Sequence, residues 1–267
     1  MSDKKDLVKK GGLVVDERPD WMKTDGNRGS EEVGNNDVQL PRLQIIQDLS
    51  PQHKKTKEEY IEGAEVGDFF NTVSQELFKG AKLFVPVYFK IEYVIWKDQK
   101  AGGGFFGAFD TELEAKKELP VVLKENGGNP DDYEVVMTNV HFVLVIDETA
   151  STTENPVLEQ AVLSMSKSQN KVSRHLNSMV RMAGGDRFSR VYELSTFVDK
   201  NNAGQEFMNW RVKTKGWVSE AIYKIAEATY DAIKSGERKV NYGEQQEGQS
   251  EAKAEENVDT SGDEFAV

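Results

Sequence analysis

The chain has 267 residues, 37% of them hydrophobic, enough for one sizeable core, and it contains no cysteine. Without thiols there can be no disulfide, cysteine-type zinc site, iron–sulfur cluster or thiol nucleophile, and a reducing compartment fits. A net charge of −12 speaks against a plain basic footprint, so any nucleic-acid reading has to rest on where the charges sit.

Residues 1–38 offer few apolar side chains, among them Leu13, Val14, Val15, Trp21 and Met22, and read as a flexible arm. No apolar run nears the roughly 20 residues that span a bilayer, so a soluble, cytoplasmic protein is expected. A single folding domain is expected over 39–238. It begins with a short strand in PRLQIIQ, a polar loop broken by Ser50-Pro51, and a hairpin in GDFFNTVSQELFKG.

The stretch Lys82–Lys97, KLFVPVYFKIEYVIWK, alternates throughout and reads as the central strand. Its odd positions, Leu83, Val85, Val87, Phe89, Ile91, Tyr93 and Ile95, form an apolar row expected to face the core. Its even positions, Phe84, Tyr88, Lys90, Glu92 and Trp96, interleave rings with charge. Two readings stay open for that second row: a face packed under a loop, or a stacking platform for unpaired bases.

Gly102–Gly104 lacks the context of a phosphate loop and reads as a hairpin turn. Residues 110–119 make at most a short amphipathic helix, ENGGNPDD is a loop, and Tyr133–Asp147 is a strand covered on both faces, with His141 read as a core histidine. A further strand, Pro156–Met165, precedes a change of period from 2 to 3.6. In the helix that follows, Val172, Leu176, Met179 and Ala183 form the apolar face, Ser166 is the candidate cap and Gly184 the stop. The opposite stripe, Lys167, Lys171, Arg174, Ser178 and Arg181, is basic, and no acid occurs from Ser164 to Gly185.

A second hairpin, Val191–Asp199 and Gln205–Trp217, repeats the aromatic and cationic alternation. Met208, Trp210, Val212 and Thr214 share one face, and Phe207, Asn209, Arg211, Lys213 and Lys215 the other. A packing helix from Val218, with Ile222, Ile225, Ala226, Thr229 and Ile233 on its apolar face, ends the domain. The tail, 239–267, then carries eight carboxylates against Lys253 and is expected to be disordered. It closes on Asp263, Glu264 and Phe265, an aromatic set in acid.

The three histidines, His53, His141 and His175, lie far apart, and no hydrolase or nucleotide-hydrolysing motif is present, so no catalytic residue, metal ligand or cofactor is assigned. Two alternatives remain. Asp147 and Glu148 at a strand end suit Mg²⁺ in a nuclease, and the aromatic faces suit subunit contacts in a virion or scaffold protein.

The segments PRLQIIQDLSP, GDFFNTV, LFVPVYFKIEYVIW and KTKGW, with the acidic tail, resemble the OB-fold single-stranded-DNA-binding proteins of bacteriophages over roughly residues 41–235. This resemblance implies a mainly β (α+β) fold, an OB-like, partly open Greek-key barrel with an inserted helix and a C-terminal helix, working in replication or recombination in the host cytoplasm. Candidate DNA-binding residues are Tyr88, Lys90, Trp96, Lys167, Lys171, Arg174, Arg181, Phe207, Arg211, Lys213 and Lys215. The tail, through Asp263, Glu264 and Phe265, is expected to compete with DNA and to recruit replication or recombination enzymes, with homo-oligomerisation left open.

Overall fold

A computed structural model describes residues 29–33, 40–98, 101–201 and 204–235, and the chain divides into two compact units, Met1–Asp37 and Val38–Val267. In the first unit the described residues form a turn in which the Gly29 amide donates to Glu31 Oε2 at 2.8 Å. The second unit holds the strands β1 (Leu43–Ile45), β2 (Phe69–Asn71), β3 (Leu77–Phe78), β4 (Lys82–Lys97) and β5 (Gly104–Phe109). Then follow helix α1 (Glu112–Asn126), strands β6 (Tyr133–Ile146) and β7 (Leu158–Ser166), helix α2 (Asn170–Ala183), strands β8 (Arg190–Lys200) and β9 (Glu206–Trp217), and helix α3 (Glu220–Lys234).

The fold is mainly β, of the α+β class. One antiparallel sheet has the order β1-β2-β3, and the other runs β7-β6-β4-β8-β9 with β5 added to β4. No closed barrel forms among the described residues, because the large sheet keeps two edges, β7 and β9. The segment around β1 reaches both. Val162 of β7 donates its amide to Pro41 O at 2.8 Å, and the Gln47 carboxamide bonds Met208 of β9 twice, Nε2 to the carbonyl at 2.7 Å and Oε1 to the amide at 2.9 Å.

Each helix covers one core. Between the sheets, Leu43, Ile45 and Phe69 meet Phe84, Leu163, Leu194 and Trp210, and Val172 and Leu176 of α2 complete the cluster. On the opposite face of the large sheet Val85, Val87, Phe142 and Leu144 pack under Ala226 and Ile233 of α3. A third cluster joins Ile95 and Tyr133 to Ala115 and Val122 of α1.

The single apolar row expected along β4 does not exist. Its register on β6 shifts between Pro86 and Tyr88, a β-bulge that leaves Val87 as an extra residue and exchanges the two rows beyond it. Val85 and Val87 therefore face α3, while Phe89 falls on the face of Phe84. The consequences are visible one turn of the pleat later. Ile91, expected in the core, is 41% exposed, and Glu92, expected outside, is 4% exposed.

Three further elements differ from expectation. Helix α1 runs past residue 119 and through Pro120, because a capping box between Thr111 and Glu114 fixes its start and burial of Val122 offsets the amide that Pro120 cannot donate. The glycine-rich stretch after Trp96 supplies strand β5, in which Gly107, at φ +124°, leaves room for the Phe109 ring where a Cβ would lie 2.9 Å from it. Ser166 makes no capping hydrogen bond. A 3-10 turn, Lys167–Gln169, with Lys167 at φ +48°, precedes α2, so Lys167 is a turn residue outside the helical stripe. In α3, Ala226, Thr229 and Ile233 are buried as expected, whereas Ile225 is 39% exposed.

Candidate nucleic-acid interface

On α2 the sequence expectation of two faces holds: Val172 and Leu176 are buried, and Lys171, Arg174, Ser178 and Arg181 are exposed. Arg174 and Arg181 have no carboxylate within ion-pair distance among the described residues. Lys171 does, its Nζ lying 2.5 Å from Asp199 Oδ2, and Lys167 Nζ lies 2.6 Å from Glu134 Oε1. Asp199 also accepts from the buried Asn209 amide at 2.8 Å. Burial alone would raise its pKa, but these bonds hold the carboxyl below its ordinary value.

Strand β9 keeps its alternation. Trp210 and Val212 are buried, and Arg211, Lys213 and Lys215 are exposed. The Arg211 guanidinium lies 4.6 Å from the centroid of the Phe197 ring, and Lys215 Nζ sits 2.5 Å from Glu193 Oε2, whose pKa that hydrogen bond lowers. Lys213 stands opposite Glu193 in the ladder, without an ion pair among the described residues. Phe207 is half-buried. The two cationic rows lie on adjacent elements, since Thr214 Oγ1 of β9 meets Met179 Sδ of α2 at 3.5 Å.

The β4 candidates are placed differently. Tyr88 packs between Phe142 and Tyr230, ring centroids 5.9 and 6.1 Å away, and so lies beneath α3. Trp96 meets Phe105 of β5 edge-on at 5.6 Å. Lys90 pairs with Glu92 and lies over the Phe142 ring. Desolvation raises the Glu92 pKa, Lys90 only partly opposing it, and Glu92 Oε2 has no hydrogen-bond partner. The structure thus brings the α2 and β9 candidates together and leaves those of β4 apart from them.

Two aromatic groups went unassigned in the sequence reading. Phe197 was hidden because β8 shows no alternation of rings and cations by itself. Trp217 ends β9 with 63% exposure, and the Arg190 guanidinium sits 4.5 Å from its centroid. Its only signal was its place directly after three cations in KTKGW.

His141 is fully buried and donates or accepts at both ring nitrogens, with Ser173 Oγ 2.7 Å from Nε2 and Arg187 Nη2 2.8 Å from Nδ1. Because a guanidinium only donates, Nδ1 accepts and Nε2 carries the proton. Burial, with help from Arg187, depresses the His141 pKa to about 3, so the ring is neutral and holds structure. Asp147 accepts from the Thr149 hydroxyl and the Thr149 and Ala150 amides, so it caps a turn, and no group of three or more metal-ligating His, Asp or Glu occurs among the described residues. Asp263, Glu264 and Phe265 lie outside the described residues. Among those described, no helix is long and apolar enough to cross a membrane.

A family model for the Pam3 phage gp34-like protein matches residues 8–239. Comparison with curated proteins and with solved structures gives no match.

Proposed function

Since the chain belongs to the Pam3 phage gp34-like family, we propose that it is a phage single-stranded-DNA-binding protein, without catalytic activity of its own, that serves DNA replication or recombination. The observation that carries this reading is the pair of adjacent cationic rows, Arg174 and Arg181 on α2 with Arg211 and Lys213 on β9, exposed and free of ion pairs with acids of the described chain. Solvated helix faces normally mix signs; an exposed row without counter-charges is what a phosphate backbone needs. The partly open arrangement of two sheets linked through β1 is compatible with the OB-type resemblance, in which strands bind by aromatic stacking beside backbone contacts.

In this reading Lys171 and Lys215 are reserve contacts, held by Asp199 and Glu193 until a phosphate replaces the carboxylate. The tail works in the same way at longer range. With eight carboxylates against one lysine it is a tethered polyanion that competes for the groove and, once displaced by DNA, presents Phe265 to a replication or recombination enzyme.

Titration of labelled oligo-dT and of a duplex across a salt series tests the proposal. Four phosphate contacts predict a slope of log K against log salt of roughly −2.8 for the single strand, with weaker binding to duplex. Loss of oligonucleotide on adding Mg²⁺ would instead indicate a nuclease, and no binding at any salt would leave a structural role. Deleting residues 243–267 should tighten single-strand binding at low salt by about 1 kcal/mol, a gain that fades as salt screens it.

A further inference from the structure

Trp217 is the only aromatic side chain among the described residues that falls in the exposed class. Phe197 and Phe207 on the same hairpin are half-buried, and Trp210 is 2% exposed. One face of the indole is already set. Arg190, its cross-strand partner, stacks on it, and Arg190 Nε is buried without a hydrogen-bond acceptor, so packing on the ring is what fixes the guanidinium. The strand end is anchored as well, by the Val218 amide donating to Ser189 O at 3.1 Å. No other ring touches Trp217 among the described residues, and a Cβ at Gly216 would meet nothing within 4 Å, so nothing crowds the approach.

The surroundings identify the occupant. An exposed tryptophan in a protein–protein hot spot is normally ringed by apolar contacts. Here Lys213 and Lys215 precede Trp217 on the strand, and Met179 of α2, two residues before Arg181, touches Thr214, about 10 Å along β9 from Trp217. A π-face between cations fits a flat group carrying negative charge. We infer that Trp217, backed by Arg190, is a stacking seat for one unpaired nucleobase, beside the cations that take its phosphates. This rests on the single-strand reading above and adds to it the residue that reads the base.

The test uses the full chain and two ligands of equal length, labelled oligo-dT and its abasic counterpart, followed by anisotropy. Trp217→Ala should weaken oligo-dT binding by roughly 5- to 150-fold, leave the abasic strand bound as before, and remove most of the quenching of tryptophan emission by oligo-dT. Trp217→Phe should keep most of the affinity. Trp217→Leu, which keeps the bulk without a π-system, gives the same readout should the alanine variant not fold. Equal oligo-dT affinity for the unaltered chain and the variants, or equal losses on both ligands, overturns the seat alone. No single-strand binding by the unaltered chain overturns the single-strand reading itself.

Discussion

β4 and β9 carry the same alternation of rings and charges, and the fold uses them for opposite ends. β4 is central: β6 lines one side, β8 and β5 share the other, and α1 and α3 pack on it, so Tyr88 and Trp96 find ring partners and Lys90 finds Glu92. β9 has one strand neighbour, and its outward cations remain in water. What an aromatic and cationic row can do is therefore decided by its neighbours in the sheet, because only an edge strand leaves such a row uncovered.

The sharpest way to break this contrast is through the inward face of β9. Trp210 meets Phe69 at 5.2 Å in the main core, so Trp210→Ala should cost about 3–5 kcal/mol. Urea unfolding would show it, and the salt slope for oligo-dT should not change if the two faces are independent. Next comes the joint between β9 and α2. Asp199→Ala leaves the buried Asn209 amide without its acceptor and should cost about 1–3 kcal/mol. The sign with pH follows from the depressed carboxyl: its contribution is present above the unfolded value of 3.8 and is lost as pH falls through the lower folded value. Asp199→Asn should lack that acid limb in melts between neutral and acid pH.

A smaller effect is expected outside. Replacing Arg174 and Arg181 by Ala should alter stability by less than about 0.5 kcal/mol while making the salt slope shallower by roughly 1.4; an unchanged slope would return α2 to a plain solvated face. The smallest change belongs to β4. The Glu92 pKa is raised by burial, so ionising it costs stability as pH rises from the unfolded value of 4.5 through the folded one. Glu92→Gln should melt higher than the unaltered chain at neutral pH, and the difference should vanish in melts run below about pH 4.5, the ordinary carboxyl value.

The elements were largely legible where period is strong. β6, β7, β8, β9 and the two later helices follow from alternation of 2 or 3.6 residues, and the two faces of α2 and β9 followed with them. What hid the rest was local geometry that leaves no periodic trace. A one-residue bulge at Val87 moved Ile91 out and Glu92 in. A proline at position 120 masked half of α1, and glycines masked β5, whose pairing comes from the open side of β4. For the candidate site, residue type and spacing showed the cations of α2 and β9, but neither could show that Tyr88 lies beneath α3 or that Arg190 and Trp217, 27 positions apart, stack.

The two hydrogen bonds from Gln47 to Met208 have a meaning for assembly as well as for folding. A long sheet edge offers its backbone to any extended chain that arrives, including another copy of the protein. By giving Met208 both a donor and an acceptor, one carboxamide does there what a neighbouring strand would do, and it breaks the run of free groups that a foreign strand would need for its register. The hairpin that presents Arg211, Lys213 and Trp217 is thus guarded against edge-to-edge growth at the point nearest its tip, while its outward side chains stay open to a different kind of polymer.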